Sequence, residues 1–211
     1  LSDDDKVFPD AIWRSTVYWR NKTGVSGDAP PRYVLVDLLV DHPVYYLGNL
    51  LLAKYLQLTQ GLRPLLLVSS QADQAVVVAA RSFGFEDFTY VRDTVSASVS
   101  PMALRILAQL DGFEGAAFRQ RVLTLEIDGV PVGDLLYDTY LREERRVTLD
   151  SLDDALRFHV VLLANYVSLY TEIMDSHDVA ATVNGHLVYT RFGVLARLAA
   201  RRGATVYVRN G

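Results

Sequence analysis

Between Gly133 and Arg142 the chain reads GDLLYDTYLR. On a helix Asp134, Asp138 and Arg142 fall at four-residue steps and share one polar stripe. Asp134 stands at the helix start, where the dipole favours a carboxylate. One reading is a carboxylate that orients or deprotonates a hydroxyl, with Tyr137 and Tyr140 supplying ring surface. A positioned general base is worth about 10²–10⁴ in rate. The plainer reading is an N-terminal cap plus an Asp–Arg surface pair worth about 0.3–0.5 kcal/mol, and spacing alone leans that way.

A second group lies in Asn184-Gly185-His186 and on to Tyr189, Thr190 and Arg191. Here a histidine sits just past an apolar, β-branched run and just before a helical one. With a helix N-terminus and Arg191 it would contact an anion or a sugar hydroxyl. As an ordinary loop histidine it would bond locally. A third group is His42 to Asn49 (HPVYYLGN), past the first apolar run. Gly48, in the first helical turn, would let a ligand or another backbone approach closely, or would simply pack helices. His159 falls inside an apolar helix and reads as a satisfied core residue, and His177 as the end of that helix.

Several familiar signals are missing. No Gly-x-Gly-x-x-Gly follows the first strand, and there is no phosphate-loop lysine and no Gly-x-Ser-x-Gly elbow. The four histidines, His42, His159, His177 and His186, lack metal-ligand spacing, so no metal is expected. The absence of cysteine excludes disulfides, thiolate metal sites and cysteine nucleophiles. A net charge of -4 argues against nucleic acid as a partner. Arg142, Arg145 and Arg146, like Arg197, Arg201 and Arg202, read as solvated helix faces.

The elements that must hold these groups follow from periodicity. Residues 1–32 read as an irregular or strand-like lead-in: an acidic start (a tag remnant or solvated tail), packed aromatics at Trp13, Tyr18 and Trp19, then a polar turn over Asn21–Asp28. Tyr33–Val40 is a buried strand, Tyr45–Gln60 a helix stopped by Gly61, and Leu65–Ser69 a strand. Gln71–Phe83 is a helix, Phe88–Val91 a strand, and Asp93–Ser100 a loop. Met102–Leu110 is a helix capped by Ser100 with Pro101 at its first position. Val122–Ile127 and Val130–Val132 flank Asp128-Gly129, a strong hairpin signal. Leu135–Glu144 is a helix, and a longer one over Leu152–Met174 is capped by a Ser151/Asp154 box. That long run is interrupted by polar residues and reads as a core helix, not a membrane span. Last come a strand at Val179–Val183, a helix at Tyr189–Arg201 stopped by Gly203, and a strand at Thr205–Val208.

Alternating strands and helices predict an α/β fold: a doubly wound, mostly parallel sheet with helices on both faces and an inserted β-hairpin. Residues 33–211 read as a single domain. The chain stops directly after a strand, as a piece of a longer enzyme would.

VGDLLYDTYLR, with the closing NGHLVYTRFGVLARLAARRGATVYV, resembles bacterial surface or capsular polysaccharide biosynthesis proteins. These look like glycosyltransferases built from two Rossmann-like domains, the GT-B type. The resemblance carries over to Gly133, Asp134, Tyr137, Asp138, Arg142, His186, Tyr189 and Gly193. It implies an N-terminal, acceptor-side domain that passes a sugar from a nucleotide-activated donor to a sugar hydroxyl. Asp134, Asp138 or His186 would be the base. His42, Gly48, Asn49, Tyr137, Arg142, Asn184, Tyr189 and Arg191 would bind substrate. The donor would sit in a second domain, so no cofactor is expected in this chain and the chain alone would be inactive. A cytoplasmic location is implied, with a carbohydrate acceptor as partner and room for peripheral membrane contact or a homo-oligomer. The rival is a non-catalytic α/β module that binds a sugar or nucleotide, or docks a partner protein.

Overall fold

The computed structural model describes residues 3–22, 30–40, 42–70, 74–92 and 99–209. Most of the turn expected at Asn21–Asp28, most of the loop at Asp93–Ser100, the start of the helix at Gln71 and the chain end at Asn210–Gly211 lie outside them. The chain forms two compact units. One comprises Leu1–Arg92, His177–His186 and Gly203–Gly211; the other comprises Asp93–Ser176 and Leu187–Arg202. Residues 33–211, expected as a single domain, contribute to both units. The hairpin and the helices around it belong to the second unit.

The first unit holds α1 (Asp3–Trp19), β1 (Tyr33–Leu38), α2 (Pro43–Gln60), β2 (Arg63–Ser69), α3 (Gln74–Ser82), β3 (Phe88–Val91), β6 (Val179–Asn184) and β7 (Thr205–Val208). Its five strands are all parallel, in the order β3-β2-β1-β6-β7. Helices flank the sheet, and the architecture is the doubly wound α/β fold expected from the alternation. Past their first residues, Tyr33 and Arg63, strands β1 and β2 are buried to their ends, as apolar runs such as VLV and LLLV require. Pro64 is tolerated in β2 because β3 pairs only from Leu66 onward, so no β3 residue stands opposite it.

The lead-in differs from expectation. It is helix α1, which packs on α3 and stacks Trp19 on Phe83 with centroids 6.3 Å apart. Ile12 and Trp19, seven residues apart, form its inner face against the core. Helix α2 starts with Pro43 in its first turn and ends at Gly61, whose φ of 66° is the left-handed stop a glycine permits. Its only charged residue, Lys54, is turned inward at 1% exposure, with Nζ donating to Gln57 Oε1 at 2.8 Å. Burial pulls the Lys54 pKa below its ordinary value. From that lowered value up to the unfolded value near 10.4, the unfolded chain binds the extra proton, so stability rises with pH. Lys54→Met should therefore be the more stable protein at pH 7, by about 1 kcal/mol. In urea melts at several pH values, its advantage should shrink as pH approaches 10. A constant gap would refute the assignment.

The second unit holds α4 (Pro101–Leu110), α5 (Gly115–Leu123), β4 (Glu126–Ile127), β5 (Val130–Pro131), α6 (Gly133–Glu143), α7 (Asp154–Ser176) and α8 (Thr190–Arg201). Ser100 Oγ accepts from Ala103 N, capping α4 as expected. The hairpin turns at Asp128 (φ 51°) and Gly129 (φ 73°), the two positive values its tight turn demands. The strand expected from Val122 begins only at Glu126, because 115–123 is helix α5, which buries Phe118 and Val122. The cap of α7 is Asp153, whose Oδ1 accepts from Leu156 N at 2.8 Å, not the expected Ser151.

Candidate functional site

In the sheet unit the strand order reverses direction between β1 and β6. In open parallel sheets the crevice beyond the carboxyl ends at that point is the favoured ligand position. Residues from four segments meet there. Asp37, next to last in β1, is 3% exposed. Its Oδ1 accepts from Leu39 N at 2.9 Å and its Oδ2 from Gly185 N at 3.4 Å, so one carboxylate ties the end of β1 to the turn after β6. Asn49, on α2, donates through Nδ2 to Asp37 O at 2.6 Å. Asn184 closes β6 and donates through Nδ2 to Thr182 Oγ1 at 2.8 Å and to Tyr207 O at 3.4 Å. These bonds to backbone carbonyls fix which end of each amide is the oxygen. Asn49 and Asn184 are 1% and 0% exposed, and neither Oδ1 has a donor among the described residues. A buried acceptor left unpaired costs about 1–3 kcal/mol.

Gly185 sits against this cluster at ordinary contact distance. A Cβ there would lie 3.6 Å from Asn49 Nδ2 and from Tyr45 Cδ1. His186 follows, half-buried, with its ring 5.0 Å from that of Tyr45. His42 is the N-cap of α2: its Nδ1 accepts from Val44 N at 3.3 Å. Gly48 makes room for a side chain, not for a ligand or backbone. Arg209, just past β7, runs across it, and a Cβ on Gly48 would come within 2.5 Å of Arg209 Nε. That Nε is buried and has no acceptor among the described residues, while Nη2 donates to Val44 O at 2.5 Å.

The remaining predicted residues belong to the helical unit. Asp134 is held by Arg197 in a two-pronged ion pair, Nη1 to Oδ1 at 2.5 Å and Nη2 to Oδ2 at 2.6 Å, and Arg197 also binds Pro131 O at 2.7 Å. Those hydrogen bonds hold the Asp134 carboxyl below the usual carboxylate range. A carboxylate so occupied is a weak base, and Asp134 instead clamps the start of α6 to α8. Asp138 is exposed and Tyr137 half-buried. Arg142 does not extend the Asp134–Asp138 stripe as a surface pair; its guanidinium lies 4.5 Å over the Tyr189 ring. Tyr189 takes φ 65° and ψ 153°, backbone angles normally left to glycine. Arg191, beside it, accepts a hydrogen bond from Tyr170 on its carbonyl at 3.0 Å. Thr139 Oγ1 accepts from Thr190 N at 2.8 Å and so caps α8 from α6.

His159 is 5% exposed and bonds Glu144 Oε1 through Nε2 at 2.9 Å, but its Nδ1 has no partner among the described residues, so it is only half satisfied. No group of three His, Asp or Glu side chains among the described residues is placed to hold a metal ion. No described helix is long and apolar enough to cross a membrane.

No protein-family model and no curated protein matches this chain. The candidate site therefore rests on geometry. Of the residues singled out from sequence, His42, Asn49, Asn184 and His186 gather at the sheet's switch point, with Gly48 supporting Arg209. Asp134, Asp138, Tyr137, Arg142, Tyr189 and Arg191 belong to the helical unit, where of these six Arg142 and Tyr189 are in contact. Asp37 and Arg209 were missed. Asp37 had a signal, as the one polar residue in YVLVDLLV; a carboxylate inside a buried run needs partners and often marks a site.

Proposed function

We propose that the switch point of the sheet unit binds a neutral, hydroxyl-rich ligand, a sugar, as the acceptor side of a glycosyltransferase of surface-polysaccharide assembly. The donor would be a nucleotide-activated sugar held by a further domain. The observation that carries the reading is the pair of buried amide oxygens, Asn49 Oδ1 and Asn184 Oδ1, beside the Asp37 carboxylate. All are acceptors. They call for a ligand rich in O–H donors and disfavour a phosphate, which brings only acceptors and negative charge. Both oxygens are shielded from solvent, so binding requires a local rearrangement that uncovers them. His186 is then the group that takes the acceptor proton, because Asp134 is occupied by Arg197.

Titration of the isotope-labelled chain with a panel of neutral monosaccharides and, separately, inorganic phosphate tests the binding. The side-chain amide signals of Asn49 and Asn184 should shift with a sugar and stay still with phosphate. His186→Ala, at a half-buried position, should keep the fold and weaken sugar binding about tenfold. Shifts confined to the helical unit, or a response to phosphate alone, would overturn the reading.

A further inference from the structure

In the sheet unit, three buried side-chain polar atoms have no partner among the described residues: Asn49 Oδ1, Asn184 Oδ1 and Arg209 Nε. All three gather at the carboxyl end of the sheet. Arg209 N donates to Asn184 O at 3.1 Å. The Arg209 side chain crosses Gly48, the neighbour of Asn49 in the chain, and fastens to Val44 O through Nη2. Its guanidinium lies over the Tyr45 ring, 5.8 Å from the centroid. The two oxygens accept, whereas the Nε–H donates. A ligand that satisfies the whole set therefore needs an acceptor of its own beside its donors.

We propose, resting on the sugar reading above, that Arg209 selects an acceptor sugar that carries an acetamido group. The amide carbonyl accepts from Arg209 Nε. The amide N–H and a ring hydroxyl donate to the two asparagine oxygens. The charge on the guanidinium decides which acceptor it prefers. A cationic donor forms its stronger hydrogen bonds with the more electron-rich oxygens. Among uncharged sugar substituents that oxygen is an amide carbonyl, not a hydroxyl. A carboxylate is richer still, but it brings no donor of its own and sets a second negative charge near Asp37. An amide is also planar, with N–H and C=O held in fixed directions. One rigid substituent therefore answers a donor and an acceptor together. Arg209 Nε is as buried as the two oxygens, so the rearrangement that admits the sugar must uncover it as well.

The isotope-labelled chain is titrated in turn with glucose, N-acetylglucosamine and glucuronate, and the side-chain signals of Asn49, Asn184 and Arg209 Nε–H are followed. The asparagine signals should move with both neutral sugars. The Arg209 Nε–H signal should move with N-acetylglucosamine alone, which should bind about tenfold more tightly than glucose. Arg209→Lys keeps the charge but has no Nε–H, and should bring the two affinities within about twofold of each other. Asparagine shifts with both sugars beside a still Arg209 Nε–H overturn the acetamido assignment and leave the sugar reading standing. A tenfold preference that survives in Arg209→Lys also overturns it. So does glucuronate as the tightest ligand, since Arg209 would then be reading charge. Asparagine signals that answer to no sugar remove the assignment and the sugar reading together.

Discussion

Gly133→Ala should cost about 3 kcal/mol or more and lower the urea midpoint sharply. Gly133 opens α6 where α5 ends, and Val132 N and Gly133 N both donate to Leu125 O, at 3.0 and 3.1 Å. A Cβ on Gly133 would run into Val122 O and stand 2.8 Å from both Leu123 C and Leu123 O. All of these are backbone atoms of a helix and its exit, so no rotamer change relieves the clash. The α5–α6 junction would have to open, with loss of the Phe118 and Val122 packing beneath it. Gly112→Ala is the control. Its φ is also unfavourable for alanine, at 78°, but open space surrounds it. That substitution should cost only about 1 kcal/mol. Equal midpoints for the two variants would show that close approach is not what demands glycine at 133.

On the proposed transferase reading, His186→Ala should lower kcat by about 10²–10⁴, because His186 would then remove the acceptor proton. His186→Gln separates that role from simple binding. A glutamine still hydrogen-bonds a hydroxyl, so KM should hold near its original value while kcat stays low. Asp138→Asn, on the exposed side of α6, should leave both constants alone. Asp134→Asn should weaken the clamp to Arg197 and reduce stability before it touches turnover. Full turnover in His186→Ala would remove the assigned base and leave the non-catalytic sugar-binding module as the better account.

What could be read in advance depended on whether the signal was local. Asp128-Gly129 announces its own turn, because few other pairs take two positive φ values cheaply, and the hairpin is where it was expected. The strand, helix and strand around Gly203 follow from short-range periodicity, and β6 and β7 do pair in parallel. Helix α1 was hidden because Trp13, Val17 and Tyr18 stay exposed and blur the pattern set by Ile12 and Trp19. Helix α5 was hidden by the β-like run that begins at Val122. At the site, His42, Asn49, Asn184 and His186 were legible because each lies at or just past a strand end or in the helical turns that follow. Their meeting depends on β6 pairing with β1 across more than a hundred residues, which no local pattern encodes. The partners of Asp134 and Arg142, which are Arg197 and Tyr189, are likewise distant in sequence, so i,i+4 spacing pointed to the wrong ones.

The cap of α8 bears on the order of folding events. Tyr189 offers its helix no side-chain acceptor, and the hydroxyl that meets Thr190 N comes from Thr139, 51 residues earlier. The segment 190–201, taken alone, would fray from its first turn. It gains a firm start only once α6 has formed and presented Thr139, so maturation of the last helix waits on an earlier one.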